Sequence, residues 1–398
     1  MATEKRFAHW FTGSRYMHLT ARAIAQHGPI ARTPLAQLLG LSQGALSRLT
    51  SDLIHANVIE EMPDAGGAPL QGFFAADAKQ GAGSKRGRPQ TALRLRAEER
   101  SFVGVNIHGT DISVVAVDAL CRPISECHDE ALASTQPEAV ARQIAEAVKR
   151  QVAPMHPAPV LLAVSMGGHL RDDRTVTEAP FLHWNHKVAL AAMVESLCGI
   201  PCLLVNDLDA LLLHESWFGA GVGVPRFTIV TIGLGVGYAL CEHGEPVVYP
   251  DKSYGLATHI LVDPEGPRCY AGHTGCANCM SSDSLAEEYS LLIGRSSTFE
   301  EFVADATAGR PQARMLVDRL CYRLGVFIAT MENLTMPDKV LVSGESSFLA
   351  RLNIESIRSA INSYRPSQAS KVDFEILDFS WSKWSEAAAA YAIAQYIG

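Results

Sequence analysis

A short segment around residue 270 concentrates side chains that bind metal ions. It contains Cys269, Cys276 and Cys279 together with His259 and His273, all within 21 residues. Thiolate and imidazole groups at such spacing supply enough ligands for a tetrahedral zinc site. In a reducing compartment, clustered thiolates favour a metal over a disulfide. The segment therefore predicts structural zinc, and the alternative is a set of free thiols.

A second group of side chains has the spacing of a DNA-reading helix. Ser42, Gln43, Gly44, Ser47 and Arg48 begin a predicted helix, and its leucines and isoleucine form a separate apolar stripe. In a helix-turn-helix, this part of the second helix contacts base edges in the major groove. We therefore expect these five residues to bind double-stranded DNA.

The preceding residues supply the rest of a helix-turn-helix. Residues 15–27 have a helical pattern, and Gly28-Pro29 ends it. We expect Thr33 to cap a second short helix that Gly40 ends. Ser42 then caps the helix that carries the DNA-reading side chains.

Two predicted strands follow and can pair as a wing. They lie at about 58–61 and 91–96, on either side of a long Gly-, Ala- and Pro-rich insertion. Lys85, Arg86 and Arg88 form a basic arm in that insertion and suit phosphate contacts or insertion into the minor groove. The alternative is a solvated linker.

The charge distribution separates the two ends of the chain. Residues 1–97 carry 12 Lys and Arg against 6 Asp and Glu, a net +6, and the remainder carries 22 against 36, a net −14. A basic amino-terminal segment on an acidic body favours DNA binding by the first part alone. We predict a DNA-binding domain over residues 1–97.

The remaining composition describes an ordinary globular protein. Hydrophobic residues make up 47% of the chain and charged residues 19%. The other six cysteines lie in apolar sequence, which indicates reduced, buried thiols. With no run of about 18 apolar residues and no signal peptide at the start, we expect a cytoplasmic protein that does not enter the membrane.

From residue 98 the pattern is that of an α/β protein. Strand, glycine turn and strand occur at 102–117 and again at 227–241, an approximate internal repeat. Such a repeat implies two related α/β lobes with a cleft between them. We predict a first lobe over 98–215 and a second over 216–398, the second carrying the His/Cys segment at 259–279.

The order of motifs resembles the ROK family of repressors, open reading frames and sugar kinases, over about residues 15–396. The motifs are, in order, GVNIHGT, VSMGG, VNDLDA, TIGLGVG, the His/Cys segment and VLVSGE. The resemblance implies a multidomain α/β protein: an amino-terminal winged helix-turn-helix, then a two-lobed actin-like, hexokinase-like (ribonuclease H-like) ATPase fold.

The two glycine turns depart from the pattern that the family's kinases use for nucleotide phosphates. Asn106 replaces an Asp, His108 replaces a Gly, and Asp111 replaces a Lys. In the second turn Leu234 replaces a Thr and removes a hydroxyl donor. Added bulk and negative charge disfavour a polyphosphate, so we expect no ATP as a cofactor and no catalytic residues. The alternative is sequence drift without loss of nucleotide affinity.

The family's sugar site is partly kept. Asn206 and Asp207 match its Asn-Asp pair, in which the Asp is the general base, and here Asp207 is a vestigial base. Gly168 and His259 match two further positions of the sugar cleft. We expect these four residues to bind a ligand, although Asn206 and Asp207 could simply cap the helix that follows.

Other sugar contacts of the family are missing. Leu256 and Asn278 stand where the family has Glu, and Phe181 aligns near an Asn. Because an unpartnered buried hydroxyl is costly, the site favours a sugar-derived or polyol effector over an ordinary hexose, or has no ligand.

The resemblance also implies one His and three Cys as zinc ligands. Ala271 stands where the family has its middle Cys, so either Cys279 or, as the alternative, His273 completes the set. The predicted ligands are His259, Cys269, Cys276 and Cys279.

These features predict a transcriptional regulator of carbohydrate-related genes. We expect a repressor that binds a DNA operator as a homodimer or homotetramer and responds to a sugar-like effector in the cleft. The helices at 311–333 and 383–396 could serve self-association, or they could be core. One alternative is an ATP-dependent sugar kinase with a DNA-binding appendix. Another is a ligand-independent DNA-binding protein controlled by a partner protein.

Overall fold

The structure is a computed structural model and describes residues 7–62, 91–153, 155–248 and 255–398. The chain forms two compact units, one made of Met1–Gly223 with Trp381–Gly398 and the other of Val224–Ser380. Within the described ranges, no helix combines the length and the apolar character needed to cross a membrane.

Three helices and three short strands open the first unit: α1 (Arg15–His27), β1 (Ile30–Ala31), α2 (Arg32–Leu38), α3 (Gln43–His55), β2 (Ile59–Met62) and β3 (Ala92–Leu95). The strands form an antiparallel sheet in the order β1-β3-β2. Leu35, Leu46 and Leu53 are fully buried and join α2 and α3 to the core. This is the arrangement of the predicted winged helix-turn-helix.

Of the two helix caps expected from the sequence, at Ser42 and Thr33, one is present and the other is not. Ser42 is the N-cap of α3, and its hydroxyl accepts a hydrogen bond from the backbone N–H of Ala45 at 3.2 Å. Thr33 does not cap α2, because Arg32 is already helical and Ala31 occupies the cap position without a side-chain hydrogen bond. The predicted wing strands pair, with Ile59 opposite Leu95.

The rest of the first unit is built on a five-stranded sheet with helices and a two-stranded ribbon. Its elements are β4 (Ser101–His108), β5 (Asp111–Asp118), β6 (His128–Ala131), α4 (Pro137–Val152), β7 (Leu161–Met166), β8 (His169–Leu170), β9 (Val176–Glu178), α5 (Leu190–Cys198), β10 (Cys202–Asn206) and α6 (Asp207–Phe218). The strand order is β10-β7-β4-β5-β6, with β10, β7 and β4 parallel and β5 and β6 antiparallel to their neighbours.

The second unit repeats this topology. Its elements are β11 (Arg226–Ile232), β12 (Val236–Glu242), β13 (Glu245–Pro246), α7 (Ser282–Ile293), α8 (Phe299–Thr307), α9 (Pro311–Thr335), β14 (Lys339–Ser343), α10 (Ile354–Ser363) and β15 (Phe374–Ile376). The strand order is β13-β12-β11-β14-β15, again with three parallel strands beside two antiparallel ones. The two predicted strand-turn-strand repeats are the hairpins β4-β5 and β11-β12.

The last helix, α11 (Trp381–Ile397), belongs to the first unit and not to the second. It packs on β4, β5, β7, α6 and α1. Gly104 in β4 permits this contact, because a Cβ there would lie 1.8 Å from the carbonyl oxygen of Ser385. The structure therefore differs from the predicted second lobe, 216–398, at both ends, and it joins the predicted domains 1–97 and 98–215 in one unit.

Candidate functional site

The start of α3 presents its polar side chains on one exposed surface. Ser42, Gln43, Gly44, Ser47 and Arg48 are all exposed, whereas the leucines of the same helix face the core. Exposed amide, hydroxyl and guanidinium groups at a helix start are suited to base edges and phosphates. The structure brings these five predicted residues together, and their contact with DNA remains a prediction.

Ion pairs tie the wing to the helices beneath it. Arg32 at the start of α2 donates to the hydroxyl of Thr50 in α3 at 3.3 Å and to Glu61 in β2 at 2.6 Å. Arg94 pairs with Glu60 across the two wing strands at 2.5 Å. The basic arm of Lys85, Arg86 and Arg88 lies outside the described residues.

A polar site forms at the carboxyl ends of the parallel strands of the first unit. Met166 at the end of β7 is in register with Asn206 at the end of β10, so the residues that follow them emerge at one edge. A Cβ on Gly167 would lie 3.4 Å from Oδ2 of Asp207 and 3.8 Å from the ring of Phe181. A carboxylate and an aromatic ring thus border the glycine backbone, and apolar and polar groups of this kind line small-molecule sites in general.

Two residues of this edge also have structural roles. The Oδ1 atom of Asn206 accepts hydrogen bonds from the backbone N–H groups of Leu208 at 3.1 Å and Asp209 at 3.4 Å, so Asn206 is the N-cap of α6. Gly168 has φ +119°, and a Cβ there would lie 2.5 Å from a backbone oxygen of Glu178. The cap uses Oδ1 of Asn206 and not its amide nitrogen. His259 belongs to the second unit.

The first glycine turn, between β4 and β5, is covered by an aromatic stack. The imidazole of His108 lies 3.6 Å from the ring of Trp381 with 9° between the planes. Its Nδ1 is 3.0 Å from Oδ1 of Asn106, whose amide donates to Ser165 at 2.9 Å. Burial lowers the pKa of His108, against the opposing effect of Asp111 and Asp129. A neutral ring therefore fills this turn.

No local pattern around His108 indicated Trp381, because the two residues are far apart in the chain. Only the return of α11 to the first unit brings the two rings together.

Four metal-binding side chains converge in the second unit. The ligand atoms of His259, Cys269, His273 and Cys276 all lie within 4.8 Å of one another. Sγ of Cys269 is 3.8 Å from Nδ1 of each histidine, and Sγ of Cys276 is 3.8 Å from Nδ1 of His259. Tetrahedral zinc separates sulfur and nitrogen ligands by about 3.6 Å, so the set fits a four-coordinate zinc ion.

Cys279 lies outside this cluster, so the fourth candidate ligand is His273, the alternative considered from the sequence. Cys279 is on a short 3₁₀ helix, Ala277–Met280, and its side chain packs in the apolar core of the second unit. Burial raises the pKa of Cys279 to about 12, which disfavours the thiolate that a metal requires.

A tight loop shapes the cluster. The backbone N–H of Cys269 donates to the carbonyl of His273 at 2.8 Å, and the N–H of Asp263 donates to the carbonyl of Gly275 at 3.0 Å. Gly275 has φ +65°, and a Cβ there would lie 1.5 Å from the carbonyl oxygen of Asp263. The imidazole Nε2 of His259 is 3.4 Å from the hydroxyl of Tyr270, a second partner of the kind that orients metal-binding histidines.

A buried arginine anchors the loop to the helices. Arg323 in α9 is 1% exposed and donates to Asp263 at 2.9 Å and to Glu288 in α7 at 2.7 Å. Gly275 also packs closely against the carbonyl oxygen of Asp263. The position of the loop that carries the metal-binding side chains therefore depends on the ion pair between Arg323 and Asp263.

Comparisons with known proteins agree with the fold. Residues 102–396 match the sequence model of the ROK family. The DNA-binding transcriptional repressor Mlc of Escherichia coli K12 is 24% identical over 391 residues, covering 95% of this chain and 92% of Mlc.

Two solved structures have the same fold. The crystal structure of a ROK family transcriptional regulator, a homologue of the E. coli Mlc protein, has a TM-score of 0.74 at 20% identity and covers 96% of each chain. A ROK hexokinase from Thermus thermophilus has a TM-score of 0.63 at 21% identity, covering 73% of this chain and 97% of its own. Because the family model matches well over half of its residues, this chain belongs to the ROK family.

Proposed function

We propose that this chain is a DNA-binding transcriptional repressor of carbohydrate-related genes, controlled by a sugar-like small molecule. The observation that carries the proposal is the exposed polar start of α3 within a winged helix-turn-helix. Similarity to the repressor Mlc spans nearly the whole chain, whereas the hexokinase covers 73% of it. The similarity to the repressor thus includes the DNA-reading part.

The DNA contact follows from the geometry of α3. Gln43, Ser47 and Arg48 reach toward base edges, and the helix start and Ser42 lie toward phosphates. A single winged helix contacts few phosphates, so a homodimer or homotetramer doubles the contact. In a symmetric dimer the two copies of α3 lie about 34 Å apart, or a multiple of that distance, on the operator.

The effector binds at the strand-end site of the first unit. Asp207 and the amide nitrogen of Asn206 hydrogen-bond vicinal hydroxyls, Gly168 lets the backbone turn against Glu178 beside them, and Phe181 supplies an apolar surface. His259, also expected from the sequence to contact the ligand, lies in the second unit with both ring nitrogens facing Cys269, Cys276 and Tyr270, and it is not part of this proposed site. These groups favour a sugar-derived ligand with an apolar substituent over a plain hexose.

Helix α6 supplies a physical connection between the effector site and the DNA-binding helices. It begins at Asp207, and its 12 residues span about 18 Å. At its other end, Gln26 of α1 donates to the carbonyl of Ser216 at 3.0 Å, and the guanidinium of Arg22 lies 5.0 Å above the ring of Trp217. Since α1 packs on α3, a shift of α6 changes the position of the DNA-reading surface.

Phosphotransfer is lost in this proposal. The stack of Trp381 on His108 and the carboxylate of Asp111 occupy the first glycine turn, where bulk and negative charge disfavour a polyphosphate. Zinc, held by His259, Cys269, His273 and Cys276, has a structural role, since all four tetrahedral positions are filled by protein.

Operator binding tests the DNA-reading surface. Fragments of the source genome are selected with the full chain, and affinity for the selected site is measured by fluorescence anisotropy against bulk DNA. Arg48→Ala is expected to weaken binding by about 5- to 150-fold, the value of one base contact of about 1–3 kcal/mol. Arg142→Ala, at an exposed arginine of α4, is the matched control. A wild-type chain without preference for any fragment would refute the proposal.

The binding of the effector, and its effect on operator binding, are tested in a separate experiment. A panel of sugars and sugar derivatives is screened by thermal shift and then for release of the operator. Asp207→Asn is expected to abolish the response, whereas Asp283→Asn, at the equivalent first turn of α7, leaves it intact. Arg22→Met should keep operator affinity but reduce the sugar effect at least threefold. If no sugar acts, control by a partner protein becomes the better explanation.

The second candidate function is a sugar kinase with a DNA-binding appendix. Asp207 favours it, because the carboxylate of a general base stands at the strand end beside the glycine backbone. A coupled assay of ADP release over the same sugar panel decides between the two. We expect no turnover, and robust turnover that Asp207→Asn abolishes would establish the kinase.

A further inference from the structure

The second glycine turn, between β11 and β12, presents a backbone amide to an acidic side chain. The N–H of Leu234 donates to Oε1 of Glu345 at 2.6 Å, and the Leu234 side chain is 63% exposed. Within the turn, the N–H of Gly233 donates to the carbonyl of Gly235 at 3.0 Å. The amide at the tip of the turn is thus directed at an anion.

The carboxylate lies directly on the glycine backbone. A Cβ added to Gly233 would lie 2.3 Å from Cδ of Glu345 and 2.5 Å from both of its carboxylate oxygens. Any residue other than glycine at this position would displace the carboxylate. Exposed backbone amides in glycine turns bind anions, and here the carboxylate of Glu345 takes that place, with Oε1 accepting from the N–H of Leu234.

Neighbouring residues fix the acidic side chain in this place. Gly344 has φ +101°, and a Cβ there would lie 2.3 Å from the carbonyl oxygen of Ile232. The N–H of Ser346 donates to that carbonyl at 3.0 Å. Glu345 is therefore held between two residues that both pack on the end of β11.

A third segment closes the arrangement. The N–H of Ser282 donates to the carbonyl of Gly233 at 2.8 Å, and its hydroxyl is 3.1 Å from the hydroxyl of Ser346. In the part of the chain that the structure describes, no lysine, arginine or histidine forms an ion pair with Glu345. Among the described residues, the backbone amide of Leu234 is the hydrogen-bond donor to this carboxylate.

We infer that Glu345 is an intramolecular ligand that fills an anion-binding turn and excludes phosphate from it. The inference rests on the proposed function in one respect, since a chain that had kept phosphotransfer would need this turn for its nucleotide. A fixed carboxylate blocks an incoming phosphate by occupying its volume and by repelling its charge. The chemical class of ligand that the empty turn accepts is a phosphate group, free or as part of a phosphate ester.

The experiment opens the turn by mutation of the full chain and adds inorganic phosphate. Glu345→Ala removes the side chain, and Glu345→Gln keeps its size without its charge. Glu355→Gln, at an exposed carboxylate of α10, is the matched control. Phosphate affinity is measured by calorimetry and thermal shift at constant ionic strength, with chloride as the reference anion.

We expect phosphate to bind Glu345→Ala at least 10-fold more tightly than the wild-type chain, with Glu345→Gln between them and the control unchanged. Hydrogen exchange of the peptide that contains Leu234 should be faster in both variants, and phosphate should slow it again in Glu345→Ala. Equal phosphate affinity in wild type and variants, or no binding by either variant, would overturn the inference. Operator binding by the wild-type chain is a separate readout, so a failure of the proposed function is distinguishable.

Discussion

The two glycine turns occupy equivalent positions in two sheets of the same strand order, yet different side chains cover them. In the first unit the turn between β4 and β5 carries His108, and the ring of Trp381 stacks on it. In the second unit the turn between β11 and β12 keeps its glycine backbone, and the carboxylate of Glu345 lies against it.

The difference indicates that backbone topology and site chemistry vary independently in this protein. The first turn is covered by a neutral aromatic stack contributed by a helix distant in sequence. The second is covered by a charged group contributed by the adjacent parallel strand end. Each sheet also has its own neighbour: α11 packs on β4, β5 and β7 of the first, and the short helix Leu256–His259, which carries one residue of the His/Cys cluster, packs on β12 of the second.

The largest expected effect comes from the metal loop and concerns the second unit alone. Cys276→Ala is expected to lower zinc content from about one ion per chain to near zero and to destabilise the second unit by about 3 kcal/mol or more, since metal binding free energy contributes to folding. Elemental analysis and hydrogen exchange of both units measure the effect.

Cys279→Ala is the matched control for that variant. It removes a buried thiol of the same segment and should lower stability while keeping zinc. Loss of zinc in Cys279→Ala and its retention in Cys276→Ala would contradict the ligand set.

A smaller effect is expected from the support of the first sheet. Gly104→Ala inserts a methyl group 1.8 Å from the backbone of Ser385, so α11 must move away from β4. We expect a loss of about 2–3 kcal/mol in the first unit, as for other overpacked sites. Gly235→Ala, where a Cβ meets no atom within 4 Å, should change stability by no more than about 0.5 kcal/mol. Chemical denaturation followed by tryptophan fluorescence compares the two, and equal effects would show that α11 adapts to the added methyl.

The smallest effect is a pH dependence of the first unit. Burial lowers the pKa of His108 from 6.5, so below about pH 6.5 the unfolded chain binds more protons than the folded one. The free energy of unfolding therefore falls as the pH decreases from 6.5 toward the folded pKa. Above pH 6.5 the ring is mostly neutral in both states, so His108 adds no pH dependence there. Trp381→Ala exposes the ring and should flatten the slope between pH 7 and pH 5.

His108→Gln provides the control for this measurement. It should remove the same slope, and the double variant should follow His108→Gln. Thermal unfolding at a series of pH values measures all three, and an unchanged slope in His108→Gln would assign the pH dependence to other groups.

Local patterns predicted much of the fold. Helix α1 has the predicted range, Ser42 caps α3, and the two strand-turn-strand repeats form the equivalent hairpins, because each depends on residues close in sequence. The family could also be identified from the sequence, because each of its motifs is a short run of consecutive residues.

The predictions that differed involve contacts between distant residues. The placement of α11 depends on the bare backbone of Gly104, which no helical pattern reveals. Spacing favoured Cys279 over His273 as the fourth ligand, whereas the loop closed at Gly275 brings His273 into the cluster and leaves Cys279 outside it. Glu345 was part of a recognised motif, but its contact with Leu234 exists only because β11 and β14 pair in register.

The placement of α11 has a consequence for how the protein is made. Residues 224–380 form their own compact unit, whereas the first unit needs a helix that the ribosome delivers after them. During synthesis, the inserted unit can finish folding while the sheet beneath the amino-terminal domain still lacks its covering helix. A nascent chain therefore acquires a complete first unit only after Trp381–Ile397 has left the ribosome, and a product truncated before α11 would leave β4, β5 and β7 without the helix that packs on them.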